Sequence, residues 1–364
     1  MCRPRFDAHP GYDVAVGERA LVAAVRGDRI GIEQRSLRDP GEGEVLLQVL
    51  LSGLCGTDLF KIRNRAVPDG TVLGHEIVGK ILAWGPGVDE QLAGTRVVVP
   101  HHVACGSCRL CRAGNGTLCS TFRENLLEPG GFSDLVLVRP RAVARALYPI
   151  PDPIDDRAAI ALEPTACVLR GIRRSGLLDP SQDAARVLIL GAGSMGLLHL
   201  LVLRALLPET EVTVVDPVEE RRQWAGRLGA FRFLAPSEIE PGFDGEAPDV
   251  VFDTVGGAPL LRDSIGTVRP GGTVILFAHA SAGEQGEFDL NELFRNEVRI
   301  VPTYSGLLED QRDAHALLCA RRFDPASLVT DVIPLSEFEE GLRRAENHEA
   351  LKVAYRPAGK ETEE

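Results

Sequence analysis

A glycine turn set between two short apolar runs constrains this chain more than any other feature. Arg186-Val187-Leu188-Ile189-Leu190 leads directly into Gly191-Ala192-Gly193-Ser194-Met195-Gly196, and Glu211-Val212-Thr213-Val214-Val215 ends at Asp216. The turn spells G-x-G-x-x-G, a pattern that carries weight only in the right surroundings. Here a strand precedes it, a helix-like stretch follows to Leu207, and an acid closes the next strand 20 residues after Gly196. Gly191 permits the tight turn, Gly193 lets the backbone approach a pyrophosphate, and Gly196 allows close helix–strand packing. Ser194 and Met195 open a helix whose N-terminus carries partial positive charge. Asp216 is placed to accept from the adenosine ribose hydroxyls and to repel a 2′-phosphate, which favours NAD over NADP. Arg221 can stack on the adenine or stand as a solvent-facing helix arginine. A plain glycine turn beside a strand-capping acid accounts for each feature separately, but not for their coincidence.

Further strands fit Asp249-Val250-Val251-Phe252-Asp253 and Gly272-Thr273-Val274-Ile275-Leu276-Phe277. Strands alternating with helical segments imply βαβ units and a parallel sheet. The pattern before about residue 150 is different. Glu44-Val45-Leu46-Leu47-Gln48-Val49, Ile77-Val78-Gly79-Lys80-Ile81-Leu82 and Arg96-Val97-Val98-Val99 are short β runs broken by Gly, Pro and Asp, as in a small β-barrel-like domain. Near the end come two helical stretches, Arg312 to Arg322 and Ser336 to Asn347, and a last strand, Lys352-Val353-Ala354-Tyr355. The expected division is a β-rich domain over 1–170, the nucleotide domain over 171–306, and a segment over 307–364 that rejoins the first. The tail from Gly359 is expected to be disordered.

The chain has 364 residues with 40 basic and 52 acidic side chains, a formal net charge of −12. That balance argues against a nucleic-acid surface or an anionic-membrane binder. Met1 to Asp7 carry charge with no apolar stretch behind them, so no cleavable signal is expected. Val187 to Leu207 is apolar enough to suggest a membrane span. Its three glycines, His199 and Arg204 make it read instead as a buried strand and helix.

Four of the eight cysteines fall between residues 105 and 119. Such clustering favours metal ligation over disulfides, and with no leader it makes the cytoplasm the expected compartment. Cys105, Cys108, Cys111 and Cys119 give C-x2-C-x2-C-x7-C. Four thiolates enclose one tetrahedral Zn²⁺ with no open position, which makes the site structural. The ferredoxin run needs a shorter last gap followed by proline, so an iron–sulfur cluster fits poorly. A DNA-binding zinc module fits poorly beside so acidic a chain.

A second metal site of a different kind is spelled by Cys55-Gly56-Thr57-Asp58, Gly74-His75-Glu76 and Glu163 in Leu162-Glu163-Pro164. A thiolate, an imidazole and a carboxylate can hold a zinc that keeps one position open for a substrate oxygen. A metal there acts as a Lewis acid on an alcohol, whose carbon then gives hydride to a nicotinamide. Thr57, two residues after Cys55, can carry the alcohol proton away. Taken singly, Cys55 reads as a small core residue, His75 as a satisfied polar group and Glu163 as a surface acid. Their joint presence with a nucleotide fold and a zinc lobe is what shifts the reading.

Together these residues resemble the zinc-containing medium-chain dehydrogenase/reductase family, in its polyol and threonine dehydrogenase branch, from about Ala20 to Arg356. The resemblance implies an α/β chain: a GroES-like β-rich catalytic domain, completed by the C-terminal segment, with a Rossmann doubly wound domain inserted. On that pattern Cys55, His75 and Glu163 match the catalytic-zinc positions, and Glu76 matches a carboxylate that ligates or swings in when water leaves. Glu163 is informative, because liver-type alcohol dehydrogenases carry Cys there and the polyol and threonine enzymes carry Glu. Phe60 departs from the pattern, since relatives often place a proton-relaying His there. His102 matches a His of threonine-dehydrogenase-like members and can serve as acid/base or substrate contact; equally, His101-His102 can simply flank the zinc lobe. Residues 1–18 match nothing in the family.

The implied activity is zinc-dependent, NAD-linked oxidation of a secondary alcohol in a small polyol, cyclitol or amino alcohol, by a homodimer or homotetramer. A carbonyl reductase using NAD(P)H is the nearest alternative. A metal-free quinone reductase is disfavoured by the intact ligand set, and a non-catalytic relative would keep the fold without turnover.

Overall fold

The computed structural model describes residues 19–179, 185–239, 247–281 and 283–357. The expectations for residues 1–18 and for the tail from Gly359 lie outside the described residues. The chain divides into two compact units, residues 1–163 with 329–364 and residues 164–328. Strands β1 (Arg19–Arg26), β2 (Arg29–Ser36), β3 (Val45–Gly53), β4 (Glu76–Trp84), β5 (Arg96–Val98), β6 (Leu127–Glu128), β7 (Leu135–Val138) and β8 (Tyr148–Pro149) lie in the first unit. The second holds β9 (Arg186–Leu190), β10 (Glu211–Val215), β11 (Arg232–Leu234), β12 (Val250–Asp253), β13 (Thr273–Leu276) and β14 (Arg299–Pro302). Strands β15 (Val329–Pro334) and β16 (Lys352–Arg356) return to the first.

In the first unit β15, β16, β3, β4, β5 and β8 lie side by side, and β7 pairs with Val45 to Gln48 of β3 on the edge where β16 pairs with Ser52 and Gly53. The antiparallel register of β3 and β4 sets Gly53 opposite Glu76, and β16 sets Ala354 opposite Gly53 on the other side. Most positions of β3, β7 and β16 and the first half of β4 are buried, so these strands are covered on both faces. Val22, Leu46, Phe132, Leu137, Phe338, Val353 and Tyr355 share one core, with the Phe338 and Tyr355 rings stacked at 4.1 Å. The Tyr355 hydroxyl donates to the Phe338 carbonyl at 2.9 Å, satisfying the one polar atom that this aromatic brings inside. Strand β16 thus ties Lys352–Arg356 into the first unit.

The second unit is an all-parallel sheet in the order β11-β10-β9-β12-β13-β14. Counted from β9 this is 3-2-1-4-5-6, the doubly wound dinucleotide order, whose switch point lies between β9 and β12. Val187, Leu188, Ile189 and Leu190 are all buried, as expected of a strand covered on both faces. The apolar stretch after it resolves into β9 and the helix Ser194–Leu206, which buries Leu197, Leu198, His199, Leu200, Val202 and Leu203. Its 13 residues are too few to span a bilayer, and among the described residues no helix is long and apolar enough to cross one.

The unit boundaries fall at 163/164 and 328/329, where the sequence pattern placed them at 170/171 and 306/307. The helices Leu162–Ser175 and Leu308–Cys319 account for the shift. Asp310 of the second takes ion pairs from Arg173 and, at 4.0 Å, Arg170 of the first, so both helices pack within the second unit.

Candidate active site

Strand β3 delivers Cys55 just past its end, where it caps the helix Gly56–Arg63. Strand β4 opens with Glu76, preceded by His75, so the β3–β4 register carries three donors to one place. Ligand atoms of Cys55, His75 and Glu76 all lie within 4.8 Å of one another, and the last two residues are buried. Thiolate, imidazole and carboxylate form a donor set suited to zinc. Glu163, also buried, sits in the first turn of Leu162–Ser175 and is outside that group. Thr57 is half-buried in the first turn after Cys55, and Phe60 is half-buried on the same helix.

Behind the donors stands a layer that the ligand pattern alone did not single out. Asp58 is fully buried, accepts from the Cys55 amide at 3.2 Å and lies 3.5 Å from His75 Nδ1. Its position leaves Nε2 as the ring nitrogen for a metal, the usual way a carboxylate orients a ligating histidine. Burial by itself raises the Asp58 carboxyl; the His75 charge and the hydrogen bonds outweigh it and hold the group below its ordinary value. Lys352, from β16, places Nζ 2.7 Å from Glu76 Oε1. Burial alone pulls that ammonium down, but the Glu76 carboxylate against it pushes it above its ordinary value. Gly53 makes room for the pair, since a Cβ there would strike Glu76 Oε2 and stand 3.2 Å from Lys352 Cε. The available signal for Lys352 was a charged residue opening an apolar strand, which by itself names no partner.

His101 and His102 continue from the site toward the cysteine lobe. Ring centroids run from His75 to His101 at 4.6 Å, to His102 at 3.6 Å and on to Phe122 at 5.2 Å. Both sequence-based readings of His102 meet here, because one file of rings touches the donor group and the lobe. Burial, then nearby positive charge, pushes the His102 imidazole down to about 4 and His101 well below its ordinary value. Both are therefore neutral near pH 7.

Cys105, Cys108, Cys111 and Cys119 form the second donor group. Sulfur–sulfur distances are 3.8 Å for Cys105–Cys111, 3.5 Å for Cys108–Cys111 and 3.5 Å for Cys105–Cys119. A tetrahedral zinc with sulfurs at about 2.3 Å needs them about 3.8 Å apart, so the cage fits the ion. Among the described residues the buried cluster there is Ala104, Cys119 and Phe122, with Cys105, Cys108 and Cys111 packed against it, a small core for such a loop without a metal.

In the second unit the glycine turn adopts the expected geometry. Gly191 has φ of 96°, a left-handed conformation in which a Cβ would meet Thr254 Oγ1 and Val255 Cγ2 at 2.8 Å. A Cβ at Gly196 would strike the Gly191 carbonyl, whereas one at Gly193 meets nothing within 4 Å. Space above Gly193, at the N-cap of Ser194–Leu206, is what a pyrophosphate would use. Asp216 is buried, with Oδ2 accepting from the Ala192 amide at 2.7 Å and Oδ1 from the Val218 amide at 2.8 Å. Arg221 Nη1 donates to Asp216 Oδ2 at 2.9 Å, so the arginine is held against this acid.

Comparison with known proteins agrees with this geometry. The alcohol dehydrogenase GroES-like domain family matches residues 41–152, and the zinc-binding dehydrogenase family matches residues 194–319. D-altritol 5-dehydrogenase of Agrobacterium fabrum is 33% identical over 86% of this chain and 92% of its own length. L-threonine 3-dehydrogenase of Mesorhizobium japonicum is 28% identical over 92% of this chain and 97% of its own. Among solved structures, acetophenone reductase from Geotrichum candidum in complex with NAD superposes with a TM-score of 0.79 at 25% identity, covering 94% of this chain and 98% of that one. With the donor group, the cysteine cage and the doubly wound sheet in place, the chain belongs to the zinc-containing medium-chain dehydrogenase/reductase family, in its polyol and threonine dehydrogenase branch.

Proposed function

We propose that this protein oxidises a secondary alcohol of a small polar molecule, a polyol, cyclitol or amino alcohol, to the ketone, with NAD as hydride acceptor. The convergence of Cys55, His75 and Glu76 within 4.8 Å carries the reading. Bound zinc supplies Lewis acidity to the alcohol oxygen, and bound NAD takes the hydride. Cys55 and His75 hold the metal, with Glu76 or Glu163 completing its shell. Asp58 keeps the His75 ring oriented, and Lys352 holds Glu76 in place through their ion pair. Thr57 Oγ1 receives the alcohol proton. Phe60 stands where relatives relay it through histidine, so the proton passes from Thr57 to solvent by another route. The cysteine cage holds a structural zinc. Gly191, Gly193, Ser194, Met195 and Gly196 cradle the pyrophosphate, while Asp216 reads the adenosine ribose beside Arg221.

A homodimer or homotetramer is proposed as the working form. Leu290 and Phe294, 76% and 82% exposed on the helix leading into edge strand β14, are apolar surface that a second copy would cover. The test of function is NADH formation over a panel of polyols, cyclitols and amino alcohols. Each is run with NAD and with NADP, before and after chelation and zinc re-addition. Zinc-restored, NAD-linked turnover is expected; none on any member, with both zincs verified, sinks the proposal.

A further inference from the structure

Asp253 ends β12 with a carboxyl that the strand itself does not need. The three residues before it, Val250, Val251 and Phe252, are apolar and buried, and Asp253 is 1% exposed. Its Oδ1 accepts from the amides of Val255 at 3.1 Å and Gly256 at 2.8 Å, while Oδ2 is buried with no hydrogen-bond partner. Burial pushes the carboxyl above its ordinary value, against the pull of those two amides. A carboxyl with one bare oxygen at a buried strand end is a poor stabiliser, because the desolvation of Oδ2 is not offset. What it achieves is a shape. The two amide bonds fold the chain back over its own side chain, the turn that an aspartate makes with residues just ahead of it.

That turn stands against the glycine turn. Thr254 donates to the Leu190 carbonyl through its amide at 3.1 Å and its Oγ1 at 2.6 Å, so it is fixed to the last residue of β9. A Cβ at Gly191 would come within 2.8 Å of Thr254 Oγ1 and Val255 Cγ2, and one at Gly196 within 3.2 Å of the same hydroxyl. On its other side the turn meets the exit of β13. The Asp253 carbonyl accepts from the Phe277 and Ala278 amides at 3.1 Å each. Gly256, with φ of 91°, passes so close to the His279 carbonyl that a Cβ would strike it. The ends of β9, β12 and β13 thus converge on one short turn at the switch point, where a doubly wound sheet binds its ligand. Val255 is 54% exposed there, an apolar side chain left uncovered beside the glycine turn.

We propose that Asp253 is a positioning residue of the nucleotide site: by shaping the turn over residues 254–257 it sets the wall that faces the glycine turn and presents Val255 to the bound dinucleotide. This rests on the NAD-binding reading above and adds a residue that lies outside both the glycine motif and Asp216. Asp253 acts through the backbone of Val255 and Gly256 and touches no reacting atom. Its charge has no part in the role, since a negative charge near the crevice would oppose an anionic dinucleotide.

The test is NADH binding to the full-length, zinc-loaded protein, followed by nicotinamide fluorescence, with the melting temperature measured beside it. Asp253→Ala removes both acceptor bonds and is expected to weaken NADH by about tenfold or more, the scale of two hydrogen bonds. Asp253→Asn keeps Oδ1 and drops the charge, and should bind NADH at least as tightly as the unsubstituted protein. Gly256→Ala should weaken NADH as Asp253→Ala does, since it moves the turn and leaves the carboxyl in place. In turnover the loss should fall on the KM for NAD, with the KM for the alcohol unchanged. A melting temperature that drops in Asp253→Ala while NADH affinity holds makes the residue merely structural and overturns the proposal. So does an Asp253→Asn variant as weak as Asp253→Ala, or a Gly256→Ala variant that binds as before. Should Asp253→Ala not fold, Asp253→Ser, with one shorter acceptor, decides: NADH affinity below that of Asp253→Asn supports the proposal, and equal affinity overturns it. Unsubstituted protein that binds no NADH would bring down the nucleotide reading and this proposal with it, an outcome distinct from failure in variants of a protein that binds.

Discussion

Lys352 and Glu76 form a buried ion pair across 276 residues of sequence, with Nζ 2.7 Å from Oε1 and side chains 10% and 1% exposed. The pair joins the last strand of the chain to a carboxylate of the donor group. Removing one member of a buried pair leaves an uncompensated charge and typically costs about 3–5 kcal/mol. Lys352→Met is expected to lose that much stability in zinc-free protein and less in zinc-loaded protein, where the metal supplies the positive charge. Denaturant unfolding with and without zinc would show it; equal losses would mean that Glu76 does not turn toward the metal.

Gly53 lies opposite Glu76 in the β3–β4 register and leaves the space that the pair fills. Gly53→Ala is expected to displace Glu76 or Lys352, at a cost of about 1–3 kcal/mol for overpacking. Zinc bound at the Cys55 site should fall while the cysteine cage stays full. Metal analysis of the purified variant reads this directly.

The two donor groups should titrate as independent sites. Cys119→Ser is expected to take the zinc content from about two to about one per chain and to lower the melting temperature, since the lobe has almost no core of its own. Cys55→Ser is expected to lose the other zinc and all turnover with little change in melting. A variant that lost both metals together would show the sites to be interdependent through the His101–His102 file.

His199 makes a pH prediction away from both metals. It is fully buried between Phe252 and Phe277, its Nδ1 lies 2.8 Å from the Met195 carbonyl, and burial pushes its imidazole down to about 4. The unfolded chain therefore takes up a proton near 6.5 that the folded chain refuses until about 4. The stability from neutral His199 is full above pH 6.5 and is lost as pH falls toward 4, by up to about 3 kcal/mol. His199→Leu should flatten that part of the stability–pH curve. A slope that survives the substitution would place it on other groups.

On the proposed function, Asp216, which accepts from Arg221 at 2.9 Å, sets the cofactor preference. Asp216→Ser removes the charge that repels a 2′-phosphate and frees the arginine to meet it. NADPH binding, followed by nicotinamide fluorescence, is expected to tighten and NADH binding to weaken, each by about tenfold. Unchanged affinities would take Asp216 out of the ribose site.

Much of this protein was legible along the chain because its signals are local. The Gly191 turn, the apolar strand before it and Asp216 lie within one βαβ unit, whose geometry fixes their relation in space. Cys105 to Cys119 are close enough in sequence that one loop must bring their sulfurs together. Cys55, Thr57, His75 and Glu76 were readable for a related reason, since β3 and β4 are antiparallel neighbours and their ends meet.

Tertiary structure decided what depends on distant segments. Lys352 reaches Glu76 only because β16 adds beside β3, a pairing that no spacing encodes. The helix Leu308–Cys319 belongs with the sheet of the second unit because Asp310 answers Arg173, 137 residues earlier. Arg221 sits on Asp216, where sequence allowed adenine or solvent. Periodicity and motif spacing report which face of an element is apolar and which ligands share a loop. Which charge meets which is settled by long-range packing, where desolvation makes every unpaired group costly.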